Sequence, residues 1–342
     1  VSESDLPAGY QLMSSSADCA GSIAPGENKI CTLVNGDSDG NTSLVLNKVL
    51  IKDNGGTAVE SDWTLQATDG TTTLEGPGTP GSIDVQSEAD FPAGTYTLSE
   101  SDGPDGYSAG PWTCVGGTFN PDTSQLTLEV GEAATCTIIN DDEAPSLTVV
   151  KQVVNDDGGN AMVGEFGVST SAGALVFDGG STDGDITTFT AETLTGLIAG
   201  EPYSLSELDV TGYSEGTWQC TPNVGGGTFN NGLVTLELGE AATCTIINDD
   251  EAPSLTIVKQ VVNDDGGEAT VGEFGINTSA GTLTFDAGVP AGDTTTYTAE
   301  LTGLTAGQAY TLVETNVEGY SEGDWDCGTN EGGGTFNNGL VT

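Results

Sequence analysis

Long stretches of this chain repeat themselves almost letter for letter. TCTIINDDEAPSLT occurs at 135–148 and again at 243–256, and VVKQVVNDDGG (149–159) returns as IVKQVVNDDGG (257–267). Landmark residues recur with the same period. Lys48, Lys151 and Lys259 are spaced by 103 and 108 residues, and Glu100, Glu207, Glu314 and Trp112, Trp218, Trp325 keep step with them. A period of that length suits one independently folding domain, so the chain reads as an array of similar units.

The local pattern within a period is that of strands. Short runs such as SLTVVKQVV (146–154) and LTLEV (126–130) alternate apolar and polar residues and are bounded by Gly, Asn and Asp. No long run has helical spacing, and none approaches the ~20 apolar residues of a membrane span. The expected fold class is all-β: tandem Ig-like or prealbumin-like β-sandwich domains arranged as beads on a string.

The ends define the expected boundaries. VSESDLPAGY (1–10) matches LSESDGPDGY (98–107), which lies deep inside a period, and GENKICTLVN (26–35) matches the closing run GEAATCTIIN (131–140). GGGTFNNGLVT at 332–342 repeats 225–235, which precedes a last strand. The units are therefore 1–42, the C-terminal part of a repeat; 43–143 and 144–251, two complete sandwiches; and 252–342, a repeat lacking its last strand. This is the pattern of a segment cut from a longer periodic chain, with secretion and anchoring segments expected outside it. Strand donation between chains fits less well, because the two partial units overlap instead of complementing each other.

Charge narrows the possible partners. Asp and Glu number 52 against five Lys, with no Arg or His, for a net charge of −47. Such a surface excludes nucleic acid and argues against an anionic membrane. It suits cations or salty surroundings. Catalysis finds no support: without His the usual general base is missing, and no hydrolase motif is present. The chain is expected not to be an enzyme.

Seven cysteines resolve once laid on the period. Cys114 and Cys136 are equivalent to Cys220 and Cys244, Cys19 and Cys31 repeat the pair, and the partner of Cys327 falls beyond Thr342. Each unit thus owns one candidate disulfide, which implies an oxidising, extracellular compartment. Each bridge would contribute roughly 3 kcal/mol by loop entropy. Two thiols per unit without His make a poor metal site. The tryptophans two residues before Cys114, Cys220 and Cys327 are expected to pack on the bridges.

Each complete unit also carries a Lys on its first strand, a YxLxE…GY box in its middle and an Asn ending its last strand: SLTVVK (146–151), YSLSELDVTGY (203–213) and TCTIIN (243–248). In this the chain resembles the Cna B-type, SpaA-like prealbumin-fold domains of bacterial surface proteins and pilins. The resemblance implies an intramolecular isopeptide bond between Lys and Asn assisted by the box Glu. Carried over, the candidate groups are Lys48, Glu100 and Asn140; Lys151, Glu207 and Asn248; and Lys259 with Glu314, whose Asn lies past the end. Pro precedes Gly-Tyr near Pro7 and Pro104 as the family pattern has it, whereas the boxes at 203–213 and 310–320 lack it. Burial would lower the lysine pKa and raise that of the glutamate, the states the reaction needs. A plain Lys–Glu ion pair, with Asn capping the strand, is the open alternative.

Acidic residues crowd the junctions. The segments are NGDSDGN with Asp37 and Asp39, NDDEAP with Asp141, Asp142, Glu143 and again Asp249, Asp250, Glu251, and NDDGG with Asp156, Asp157 and again Asp264, Asp265. Ca²⁺ takes six to eight such oxygens, so a structural calcium is expected at the junctions, with turn chemistry as the alternative for NDDGG. Whether the two segment types meet at one pole depends on strand parity, which the sequence leaves open. The expected function is a structural filament, pilus or stalk on the cell surface. Its partners would be neighbouring repeats or identical chains. An adhesin or carbohydrate-binding array is the alternative.

Overall fold

The computed structural model describes residues 10–37, 42–88, 91–222, 227–230, 232–328, 335–337 and 339–342. Among them every regular element is a β-strand or a short 3₁₀ turn, so the all-β reading holds. No helix among them is long and apolar enough to cross a membrane.

The strands follow from alternation. In Ser146–Val154 every second side chain (Leu147, Val149, Lys151, Val153) is buried, and in Ser43–Ile51 the inward row is Leu44, Leu46, Lys48. The last strands, Ala133–Asp142 and Ala241–Asp250, alternate likewise. Their inward row begins apolar and ends in Asn140 and Asp142, or Asn248 and Asp250, all buried. Repeats one and two close by laying the last strand parallel to the first, with Ile138 opposite Lys48 and Ile246 opposite Lys151. Parallel pairing sends both strands toward the same pole. Strand parity, open in the sequence, is thereby fixed.

In repeat one the sheet of first and last strands also holds Tyr107–Ala109 and Thr113–Val115. It faces a five-stranded antiparallel sheet that includes Gly94–Glu100 and the hairpin Thr64–Thr68/Thr73–Pro77. The core between them contains Leu46, Leu65, Tyr96, Leu126 and Ile138. Each such side chain contributes roughly 2 kcal/mol through burial. In repeat two the strand Ile186–Thr190 instead pairs with the first strand, setting Phe189 opposite Lys151. Among the described residues repeat one has the bridge Val45–Gln86 there, with Ser87 N donating to Leu44 O, and Gly78 passes so close that a Cβ would lie 2.7 Å from Lys48 Cβ. Repeat three pairs its first strand, Leu255–Val262, with Thr294–Leu301. The N-terminal hairpin pairs Tyr10 with Asp37, the register that Tyr107 and Asp142 share in repeat one.

Candidate functional site

Each repeat places a lysine of its first strand inward, Lys48 and Lys151 buried and Lys259 partly so. Because Asn140 and Asn248 lie two positions beyond the residue paired with the lysine, amine and carboxamide share one face of adjacent parallel strands. In repeat two Lys151 Nζ donates to Glu207 Oε2 at 2.7 Å and to Asn248 Oδ1. Both side chains of the Lys151–Glu207 pair are wholly buried. In repeat one Lys48 Nζ meets Glu100 Oε2 at 2.6 Å, and Asn140 Oδ1 is buried without a hydrogen-bond partner among the described residues. Lys259 meets Glu314 Oε1 at 2.6 Å. The structure thus brings together all three members in repeat two and Lys with Glu in the others.

Burial lowers the pKa of Lys48 and of Lys151, opposed by the neighbouring Glu100 and Glu207 respectively. Glu215, on the strand Tyr213–Glu215, adds a second carboxylate that feels Lys151. Partial burial and the charges of Glu207 and Asp209 push its own pKa up. Each amine also lies over an aromatic ring: Trp63 at 4.7 Å, Phe166 at 4.0 Å and Phe274 at 4.3 Å. The sequence reading missed these rings. Their signal was present, since each stands fifteen positions after its lysine.

The acidic segments converge at the pole where the first and last strands end. Asp142 Oδ1 accepts from the backbone of Asp53 (3.1 Å) and Asn54 (3.0 Å), and its Oδ2 from Gly56 (2.6 Å). Asp250 does the same for Asp156, Asp157 and Gly159. A tyrosine from the Gly-Tyr box completes the latch. Tyr213 OH donates to Asn155 Oδ1 and accepts from Ala161 N, and Tyr320 repeats this with Asn263 and Ala269. Asp142 and Asp250 are therefore loop clamps first, with part of each carboxylate already taken by amides.

Two acidic groups remain compact enough to hold an ion: Asp53, Asp141, Asp142 and Asp156, Asp249, Asp250. Asp53 was absent from the sequence reading, although it aligns with Asp156. Desolvation and the neighbouring carboxylates raise the pKa of Asp157 and of Asp249. Glu143 contributes its backbone carbonyl to a contact with Gly239 (2.7 Å). Glu251 donates its backbone N–H to Gly212 (2.8 Å). Asp264 and Asp265 belong to neither compact group among the described residues. Asp39 and the side chain of Asp37 lie outside the described residues.

Disulfides join Cys19–Cys31, Cys114–Cys136 and Cys220–Cys244, and Cys327 is a half-buried free thiol. Trp112 and Trp218 are buried in the same clusters as Cys136 and Cys244, which leaves neither ring open for stacking on a sugar.

Together, three tandem β-units, two of them closed by parallel first and last strands, define an array of prealbumin-type domains. The chain matches the family described as prealbumin-like fold domain (SpaA_2) over residues 39–138, 142–246 and 250–342, and it belongs to that family. Solved structures similar to it include the major pilin protein T-13 from Streptococcus pyogenes, at 20% identity over 61% of this chain and 97% of that one, TM-score 0.27. Another is the pilus adhesin SpaC from Lactobacillus rhamnosus GG, at 17% identity over 64% of this chain and 32% of that one, TM-score 0.26. A third is BcpA, the major pilin subunit of Bacillus cereus, at 12% identity over 82% and 90%, TM-score 0.24. No curated protein matches the chain.

Proposed function

We propose that the chain is a load-bearing part of an extracellular, cell-surface filament, pilus or stalk, each complete repeat of which is locked by its own covalent crosslink. The observation that carries this reading is Lys151, an amine buried in an apolar row and held between the Glu207 carboxylate and the Asn248 carboxamide. A buried charged pair is a costly way to stabilise a sandwich. Converting the amine to an amide removes that cost. The neutral Lys151 nitrogen attacks Asn248 Cγ and the new C–N bond forms. Glu207 relays the proton to the departing nitrogen, and ammonia leaves. Lys48, Glu100 and Asn140 would react in the same way.

The bond would tie first strand to last, across 97 residues in repeat two. A crosslink closing a loop of about 100 residues contributes ~4.7 kcal/mol by the chain-entropy estimate. Under tension, force would pass along the two crosslinked strands and bypass the rest of the domain. Ca²⁺ at Asp53, Asp141, Asp142 and at Asp156, Asp249, Asp250 would neutralise the crowded carboxylates and stiffen the poles. Neighbouring repeats and identical chains are the partners this architecture suits.

Single-molecule pulling tests the mechanical reading. Repeats one and two are expected to release no domain-length contour before the chain detaches. Release of a full domain from each would contradict it.

A further inference from the structure

The loop that follows each first strand ends in Gly-Gly and has the same shape in all three repeats: Gly55, Gly158 and Gly266 sit at φ +95°, +94° and +89°. Only glycine adopts this region readily. The surroundings of the three differ. At Gly55 a Cβ would lie 2.6 Å from the carbonyl oxygen of Ala199, in the next repeat, and at Gly158 it would lie 2.8 Å from Ala306 N. At Gly266 it would meet nothing within 4 Å. The residues before Gly55 and Gly158 accept from the same neighbours: Ala199 N donates to Asn54 O at 2.8 Å, and Ala306 N donates to Asp157 O at 2.7 Å.

Ala199-Gly200 and Ala306-Gly307 are equivalent turns, with Gly200 at φ +79° and Gly307 at +74°. One kind of contact therefore occurs twice in the chain. At the first junction a second contact flanks the linker, where Gly239 N donates to Glu143 O. There Gly106 lies so close to Leu238 that no side chain would fit between them.

We propose that the Gly-Gly loop of each repeat is a docking surface for the Ala-Gly turn of the repeat that follows, and that this contact fixes the angle between repeats. The chemistry is suited to so acidic a chain. The loop offers a carbonyl and a glycine face, and the turn offers an N–H and no charge. Asp142 and Asp250 hold the loop in shape, so the socket is formed before the partner arrives. The loop of repeat three presents the same surface, and its fitting partner is the Ala-Gly turn of one more repeat of this kind. This joint requires neither the crosslink nor calcium.

Gly266 supplies an internal control, since a side chain there strains the same loop without touching a neighbour. The test is small-angle X-ray scattering of the full chain in EDTA, comparing wild type with Gly158→Val, Gly266→Val and Ala306→Pro. Ala306→Pro removes the N–H donor from the opposite side of the joint. Circular dichroism melts identify any variant that does not fold, and Ala306→Pro carries the test if Gly158→Val is lost. The distance distributions of wild type and Gly266→Val should superimpose, whereas those of Gly158→Val and Ala306→Pro should both broaden and shift in maximum dimension. The proposal is overturned if the folded joint variants superimpose on wild type, or if Gly266→Val shifts as far as they do.

Discussion

At the scale of single residues, Lys151 and Asp250 spend burial on different tasks. Lys151 is inward on an alternating strand where a Leu or Val would ordinarily stand, and its amine donates to Glu207 and Asn248 beneath the Phe166 ring. Replacing Glu207 by Gln keeps the shape and removes the proton relay. Repeat two of Glu207→Gln is expected to retain its ammonia, giving an intact mass one ammonia heavier than wild type after correction for the substitution itself. A mass shifted only by the substitution itself would show that Glu207 is not needed. Asp250 instead serves the backbone of its repeat, accepting from three amides of the loop that follows the first strand. Hydrogen bonds to a charged group contribute about 1.5–3 kcal/mol. Asp250→Ala should therefore destabilise repeat two by about 3 kcal/mol, read as a lower denaturant midpoint, with repeat one unaffected.

At the scale of elements, the strand and its polar end were unequally legible. The alternation of SLTVVKQVV was enough to name the strand, its inward face and the anomaly of a lysine in it. The period was enough to pair Cys114 with Cys136 as equivalents of Cys220 and Cys244. What sequence could not supply was the parallel pairing of first and last strands, because register and direction are set by contacts between residues some ninety positions apart. Only that pairing brings Asp250 to the NDDGG loop. It also turns residues that looked like free ligands into loop clamps. The hairpin Thr64–Thr68/Thr73–Pro77 is a second case. It lies in the opposite sheet from Ile186–Thr190 of repeat two, although both runs have the same strand-like pattern.

The acidic pole carries its own pH signature. Asp157 and Asp249 have raised pKa values in the fold, caused by desolvation and by the charges of Asp156 and Asp250. A carboxyl raised in the native state binds its proton more tightly there than when unfolded. Its stabilising contribution is thus complete below the unfolded value near 3.8 and is lost as pH rises through the raised one. Without divalent metal, acidification from neutral pH through that window should lessen the strain at the pole of repeat two. Asp157→Asn, which reproduces the Asn54 of repeat one, should flatten this part of the pH dependence. Denaturant midpoints measured across the window for wild type and variant provide the comparison.

At the scale of the whole molecule, a chain with a net charge of −47 has to remain extended and ordered with five lysines to offset it. Three of those five are buried or nearly so at one equivalent position, so they do little for the surface field. Screening by salt and cations held at the two compact acidic groups are the means by which that repulsion would be offset. Calcium should raise the melting temperature and EDTA lower it, by several degrees for each 1 kcal/mol of binding free energy. A melt indifferent to both would remove calcium from the account and leave the junction to the amide-clamped loops and the turns docked on them.

The claim on which the mechanical account depends is covalent, and intact mass spectrometry of the non-reduced chain reads it directly. After correction for the three disulfides, the mass should fall short of the sequence by one ammonia for each of the two complete repeats, through Lys48 with Asn140 and Lys151 with Asn248. A mass equal to the disulfide-corrected sequence would mean that Lys48 and Lys151 are ordinary buried ion-pair partners.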